Sequence, residues 1–131
     1  MVAVADTDPV IARMVEVAKT LVPGKTLGPV ISAEAKRRIE AYITEAEAAG
    51  AQVLLDGRGV SVPGKEGGFY VGPTVLDRVT PDMRIAQEEV FGPVLAIVRA
   101  KDVDEALEVE IFFNDTAAAE IYTESGGVAK Y

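Results

Sequence analysis

Apolar residues in the first quarter of the chain recur at helical spacing. They are Val10, Ile11, Met14, Val15, Ala18 and Leu21. One turn earlier stands Asp8, a residue type that caps helix N-termini, followed by Pro9, which suits a first helical turn. The sequence therefore predicts a helix that begins at Asp8 and ends near residues 22–24, where Pro and Gly follow each other.

A second amphipathic pattern covers residues 33–49. Its apolar face comprises Ala35, Ile39, Tyr42, Ile43 and Ala46. Ser32 is the expected N-cap, and Gly50 is the expected stop signal. The other face is rich in Glu, Lys and Arg, so we expect one side of this helix to be buried and the other to meet water.

Short apolar runs predict strands at residues 2–5, 52–55, 69–76, 94–98 and 119–123. Pro73 lies inside the third run and favours an edge strand or a bend there. Asp102 and Glu105 have the spacing of a capping box and predict another helix, and residues 125–127 predict a turn. Alternation of apolar runs with amphipathic helices favours an α/β domain of two or three layers with a largely parallel or mixed sheet.

Composition excludes several kinds of chemistry. The 131 residues suit one globular domain, and they include neither Cys nor His. Thiolate nucleophiles, disulfides, Ser-His-Asp triads and the common zinc sites are therefore impossible within this sequence. We assign no catalytic residue and no metal ligand.

The net charge of −8 argues against nucleic acid as a partner. Lys36, Arg37 and Arg38 form the one basic cluster, and they alternate with Glu34 and Glu40, so a solvated helix face is the expected interpretation. No apolar run is long enough to cross a membrane, and residues 1–6 do not resemble a secretory signal. A cytoplasmic location and no membrane partner are expected.

Three other segments each allow a functional interpretation and a purely structural one. Residues 59–66 nearly match a Walker A loop but lack the final Ser or Thr and a following helix, which favours a surface loop. Residues 114–116 fit the glycosylation pattern, which needs a secreted chain. Ile111, Phe112 and Phe113 are either core or an interface anchor.

The octapeptide Gln87-Glu88-Glu89-Val90-Phe91-Gly92-Pro93-Val94 resembles a signature of the NAD(P)-dependent aldehyde dehydrogenases. Further segments resemble that family in the same order along nearly the whole chain. They include residues 28–32, 48–57, 68–76, 81–85, 102–107 and 121–129. Some favour the methylmalonate-semialdehyde branch and others the pyrroline-5-carboxylate branch, so neither branch is chosen.

The resemblance implies a single partial catalytic domain over residues 1–131. In the family the nucleophilic Cys lies shortly before the segment that residues 2–5 resemble, and the NAD-binding domain lies further upstream. We therefore expect a domain without nucleophile or dinucleotide fold. Loops shorter than the family's, at residues 22–27 and after residue 116, favour a trimmed or engineered domain over natural degeneration.

Glu89 and Phe91 are the cofactor-binding residues that the resemblance implies. In the family the matching Glu holds the ribose next to nicotinamide, and the matching Phe packs beside it. A carboxylate suits two ribose hydroxyls and an aromatic face suits an apolar ring edge. The alternative is a retained turn with Phe91 in the core and Glu89 solvated. Glu88 and Glu89 are not expected to form an acid–base dyad, because neighbours in an extended segment face opposite sides.

Three functions remain open from the sequence. The first is a fragment or shortened homologue of an NAD- or NADP-dependent aldehyde dehydrogenase that binds no cofactor and has no activity alone. The second is a non-catalytic domain, natural or engineered, that self-associates as a homo-oligomer. The third is a residual nucleotide-binding module that uses Glu89 and Phe91.

Overall fold

The computed structural model describes residues 1–112, and every structural statement below concerns that part of the chain. The elements, in chain order, are β1 (Val2–Val4), α1 (Asp8–Ala18), α2 (Ala33–Ala48), β2 (Gln52–Leu55), β3 (Thr74–Asp77), α3 (Arg84–Gln87), β4 (Val94–Ala96), β5 (Val98–Ala100) and α4 (residues 103–112). The predicted strand at 119–123, the turn at 125–127, the 114–116 pattern and Phe113 lie outside the described residues.

The strands form one two-stranded and one three-stranded sheet. β1 pairs with β5 in parallel, and Val2 lies opposite Val98. In the second sheet β3 lies between β2, to which it is antiparallel, and β4, to which it is parallel. The predicted α/β class with a mixed sheet is therefore confirmed.

The run at residues 94–98 was expected to form one strand, and this prediction is wrong. β4 ends at Ala96 and β5 begins at Val98, in a different sheet. Ile97 separates them: its N–H donates to the carbonyl of Leu76 (2.8 Å), and its carbonyl accepts from the N–H of Val79 (3.0 Å). Its side chain is fully buried. The chain thus passes from one sheet to the other at a buried, hydrogen-bonded residue.

Of the two alternatives that Pro73 left open, an edge strand or a bend, the edge strand is wrong. β3 is the central strand of its sheet, and all four of its residues are buried. Pro73 lies one residue before the strand, where the ladder needs no N–H from it. The first ladder donor is Thr74, whose N–H reaches the carbonyl of Pro93 at 2.9 Å.

The first helix begins as predicted but ends earlier and has a different cap. Thr7 is the N-cap residue, without a side-chain capping bond, and Asp8 is the first helical residue. The Asp8 carboxylate instead forms an ion pair with Arg99 at 2.7 Å, and this partner, 91 positions later by the residue numbers, was invisible to local sequence rules. After Ala18 the chain tightens into turns, as shown by the bond from the Leu21 N–H to the Ala18 carbonyl (3.0 Å).

The second and fourth helices have the predicted caps. The Ser32 hydroxyl accepts from the Ala35 N–H at 3.0 Å, and Gly50 takes a left-handed φ of 109° just after α2. Asp102 accepts from the Glu105 N–H at 2.9 Å, while the Glu105 carboxylate accepts from the Lys101 N–H at 2.7 Å.

Two apolar clusters hold these elements together. The larger centres on α2, where Ile39 and Ile43 are fully buried and pack with Leu76 of β3. The smaller lies under α1 and includes Ile11, Val75 and Ile97. β3 contributes to both clusters, so it joins the two helices to one core.

Candidate functional site

The family-like octapeptide forms the connection between α3 and β4. Its side chains differ in exposure in an alternating way: Glu88, Val90 and Gly92 are partly buried, whereas Glu89 and Phe91 are exposed. Val90 packs against the larger cluster. The alternation expected for an extended segment therefore places Glu89 and Phe91 on one solvent-facing side.

Glu88 is held by two residues. Tyr42 of α2 donates its hydroxyl to one carboxylate oxygen, and the Arg84 Nε donates to the other at 2.7 Å. The Arg84 hydrogen bond, followed by that of Tyr42, lowers the pKa of Glu88, and the same contact with Glu88 raises the pKa of Tyr42. The Arg84 guanidinium also lies over the Tyr42 ring, 4.6 Å from its centroid.

Glu89 makes no ion pair or hydrogen bond within residues 1–112, and it is exposed. Glu88 and Glu89 thus have different surroundings, as the alternation predicts, and the absence of an acid–base dyad stays a prediction. Phe91 is 68% exposed, which contradicts its alternative placement in the core. The structure therefore places Glu89 and Phe91 two positions apart on an open surface, and their ligand stays a prediction.

Gly92 fixes the end of this segment against α2. A Cβ built on Gly92 would lie 2.8 Å from the Cδ1 of Ile39, a fully buried side chain. Real Cβ atoms essentially never come that close. A Cβ at this position would therefore displace the end of the Ile39 side chain, and the turn that carries Phe91 packs closely against α2.

An open apolar groove of about 730 Å³ runs beside this turn. One wall is α1 and the turn after it, with Val10, Met14, Val17 and Leu21. The other wall comprises residues 73–75 and 92–95. Arg13 is the charged residue of its lining, and neither Glu89 nor Phe91 contributes to it.

A partly buried ion pair joins the two sheets. Arg99 of β5 donates from Nε and Nη2 to both carboxylate oxygens of Asp77 in β3, each at 2.8 Å. Asp77 is 3% exposed. The hydrogen bonds from Arg99 lower the pKa of Asp77, and those from Asp77 raise that of Arg99. This two-point contact links β3 of one sheet to β5 of the other.

The loop that resembles a Walker A motif is an irregular segment of turns, as predicted. Its N–H groups already meet carboxylates: Gly59 donates to Glu40 at 2.9 Å and Gly64 to Glu66 at 2.8 Å. Acceptors in those positions repel a phosphate.

The solvated-face interpretation of the basic cluster is wrong for one residue. Lys36 is partly buried and its ammonium donates to the carbonyls of Val60 (3.0 Å) and Tyr70 (2.6 Å). It fastens the 59–70 loop to α2, a role that its neighbours in sequence could not reveal. Arg37 and Arg38 are exposed as expected.

Residues 1–112 contain no group of three or more acidic residues arranged to hold a metal ion. Over the same residues, no helix is both long and apolar enough to cross a bilayer.

Sequence reasoning missed the residues that orient the octapeptide. Arg84 and Glu88 have the i, i+4 spacing of a helical ion pair, a signal that could have identified their contact. No local signal links Tyr42 to Glu88 or Asp77 to Arg99, because each pair is separated by more than twenty residues.

Comparisons with known proteins agree with the resemblance. The model of the aldehyde dehydrogenase family matches residues 2–130. The chain is 44% identical over 124 positions to the mitochondrial, acylating methylmalonate-semialdehyde dehydrogenase of Arabidopsis thaliana, covering 90% of this chain and 20% of that protein.

Solved structures give the same picture. Methylmalonate-semialdehyde dehydrogenase from Oceanimonas doudoroffii superposes with a TM-score of 0.76 at 34% identity, covering 95% of this chain and 30% of that one. The 1-pyrroline-5-carboxylate dehydrogenase from Thermus with bound NAD gives 0.68 at 41% identity, covering 78% and 20%. The chain thus spans about a fifth to three tenths of the length of these proteins.

Proposed function

The chain belongs to the aldehyde dehydrogenase family, and we propose that it forms the ribose-side wall of that family's NAD(P) site through Glu89 and Phe91. The observation that carries the proposal is the shared exposure of these two side chains between buried neighbours. Glu88, Val90 and Gly92 anchor the segment from below, so the exposed carboxylate and ring are held in place without contacting the core.

The two side chains suit complementary parts of a nicotinamide riboside. The Glu89 carboxylate accepts hydrogen bonds only, as two ribose hydroxyls require. Phe91 offers an uncovered aromatic face for an apolar ring edge. A pre-positioned pair of this kind saves part of the ordering cost of binding.

The chain alone is proposed to be inactive as a dehydrogenase. The family's attack on an aldehyde needs a thiolate, and none of the 131 residues is a Cys. Residues 1–131 are proposed to form a partial catalytic domain. The nucleophile and the dinucleotide fold would come from outside these residues. The expected location remains cytoplasmic.

A chimera tests the cofactor wall directly. Residues 82–96 would replace the matching segment of the Arabidopsis relative, and NAD affinity would be measured by calorimetry. We expect the chimera to bind NAD, and Glu89→Gln or Phe91→Ala within it to weaken binding about tenfold, ~1.4 kcal/mol. Asp82→Asn, an exposed carboxylate in the same segment, is the matched control. Unchanged affinity in both variants would contradict the proposal.

Titration of the chain alone separates the cofactor wall from a residual nucleotide-binding module. Ligand at a hundred times its Kd stabilises a fold by about 2.7 kcal/mol, so real binding raises the Tm measurably. We expect no rise at millimolar NAD. A rise that Glu89→Gln abolishes, while the exposed Glu34→Gln does not, would support the module instead.

Self-association is a second candidate function, favoured by a specific observation. Large apolar side chains are exposed on α1, α4 and the octapeptide, and they include Val10, Val17, Phe91, Val103 and Leu107. Surfaces of this kind mark interfaces. Light scattering after size-exclusion chromatography is expected to show a mass that rises with concentration, and a monomer at every concentration would exclude it.

A further inference from the structure

One face of α4 carries an exposed apolar stripe. Val103, Leu107 and Ile111 stand four residues apart and are 63%, 56% and 59% exposed. At 100° per residue they cover a sector of about 80°. Val109, on the other side of the helix, packs against the larger cluster. α4 is therefore fixed to the core by one face while this stripe meets solvent.

The stripe is flanked by negative charge only. Asp104 and Glu108 border it on one side, and Glu110 borders it on the other, by the same helical geometry. Residues 103–112 include no Lys or Arg. Two α4 helices packed stripe to stripe would bring carboxylates against carboxylates, which disfavours pairing of like surfaces.

The groove along α1 has complementary chemistry. Its lining is apolar apart from Arg13 and Thr74, and it includes no carboxylate. Within residues 1–112 Arg13 forms no ion pair within 4 Å, although its charge contributes, after Lys19, to lowering the pKa of Glu16. An acidic helix with an apolar stripe complements such a groove, because its charge is opposite to that of Arg13 and both contact surfaces are apolar.

The two surfaces also match in length. Val103 and Ile111 are eight positions apart, about 12 Å along a helix, and Val10 and Val17 are seven positions apart, about 10 Å. Resting on the self-association proposed above, we infer that α4 of one copy docks in the α1 groove of a second copy, with the stripe covered by the groove and the flanking carboxylates near Arg13. Each contact then joins two unlike surfaces, α4 of one copy and the groove of the other.

Mixing two variants tests this directly. Val17→Asp introduces a charge into the groove and leaves α4 intact, whereas Leu107→Asp introduces a charge into the stripe and leaves the groove intact. Each variant alone is expected to lose self-association by more than about a hundredfold, because a carboxylate would enter an apolar contact that is already flanked by the carboxylates of α4. Both positions are exposed, so the fold is kept, and far-UV dichroism and Tm would verify this.

The equimolar mixture is the decisive sample. It is expected to form a 1:1 heterodimer, because the intact α4 of one variant still meets the intact groove of the other. A mixture that stays monomeric means that an intact α4 does not bind an intact groove, and it overturns the inference. Self-association that persists in either variant overturns it as well.

Two further variants test the charge component and the position. Arg13→Glu is expected to weaken assembly about tenfold, while Arg37→Glu, an exposed cation on α2, should not. Ile31→Asp changes an exposed apolar residue outside both surfaces and should assemble as the wild type does. Equal loss in Ile31→Asp would locate the interface elsewhere. A monomeric wild type would reject self-association while leaving the NAD chimera result untouched.

Discussion

The hydroxyl of Tyr42 in α2 donates a hydrogen bond to the carboxylate of Glu88, which lies 46 residues later in the chain. That contact directs Glu88 toward α2 and leaves the next residue, Glu89, on the open side. The carboxylate proposed to meet a ribose is thus kept separate from the one that anchors the segment. The geometry of the candidate site therefore depends on the α2 surface as much as on the octapeptide itself.

Removing the Tyr42 hydroxyl should change the titration of Glu88. In Tyr42→Phe one of the two donors that lower the pKa of Glu88 is gone, so that pKa should rise toward its ordinary value of 4.5. Carboxyl-detected NMR titration measures it. Tyr70→Phe is the matched control, because the Tyr70 hydroxyl makes no hydrogen bond within residues 1–112. An unchanged pKa in Tyr42→Phe would show that Arg84 alone holds Glu88.

The contact between Gly92 and Ile39 should appear as a coupling in a double-mutant cycle. Gly92→Ala forces a Cβ onto Cδ1 of Ile39 and should lower the free energy of unfolding by about 1–3 kcal/mol. Ile39→Val removes Cδ1 and should cost about 0.5–1.5 kcal/mol. Because the second change relieves the first, the double variant should lose less than the two losses added together.

Urea unfolding of the four proteins measures this coupling. Gly28→Ala is the control, since a Cβ at Gly28 would meet no atom within 4 Å. Strict additivity of Gly92→Ala and Ile39→Val would mean that the close approach does not constrain the turn.

The Asp77–Arg99 pair should make stability fall in acid. The hydrogen bonds from Arg99 lower the pKa of Asp77 below 3.8 in the folded state. Below about pH 4 the unfolded chain therefore binds a proton that the folded chain resists, so stability is present above that pH and is lost as the pH falls through the folded pKa. Unfolding free energies at pH 6 and pH 3 should differ less in Asp77→Asn than in the wild type.

The partner substitution separates this effect from general acid sensitivity. In the Arg99→Met variant, the main cause of the lowered Asp77 pKa is gone. Adding Asp77→Asn to that variant should therefore change the pH dependence of the unfolding free energy little. If Asp77→Asn flattens the dependence equally in both backgrounds, the contact between Asp77 and Arg99 is not its source.

Local sequence rules identified the parts of this fold that depend on neighbouring residues. The Ser32 cap and the Asp102–Glu105 capping box each join residues at most four positions apart. The Gly50 stop depends on that one residue. Each has a strong side-chain or backbone preference. The apolar face of α2 was also correct in every residue, because helical periodicity reports burial directly.

The errors arose where a distant residue decided the outcome. Asp8 was expected to cap α1 but pairs with Arg99. Residues 94–98 look like one strand, yet Ile97 bonds to Leu76 and Val79 and divides it between two sheets. At the candidate site, the alternation of side chains along an extended segment correctly predicted different exposure for Glu88 and Glu89. The exposure of Phe91, in contrast, depends on the turn at Gly92. No periodicity encodes a contact between one glycine and one isoleucine in another element.

Formation of NADH by the purified chain is the most direct test of the central claim, that this chain carries one wall of the cofactor site and not the chemistry. The chain would be incubated with NAD and malonate semialdehyde, the substrate class named by its relatives, and then with simple aldehydes. We expect no NADH above the buffer rate, because none of the 131 residues offers a thiolate to attack the carbonyl. NADH formation that copurifies with the chain and is lost in Glu89→Gln would contradict it.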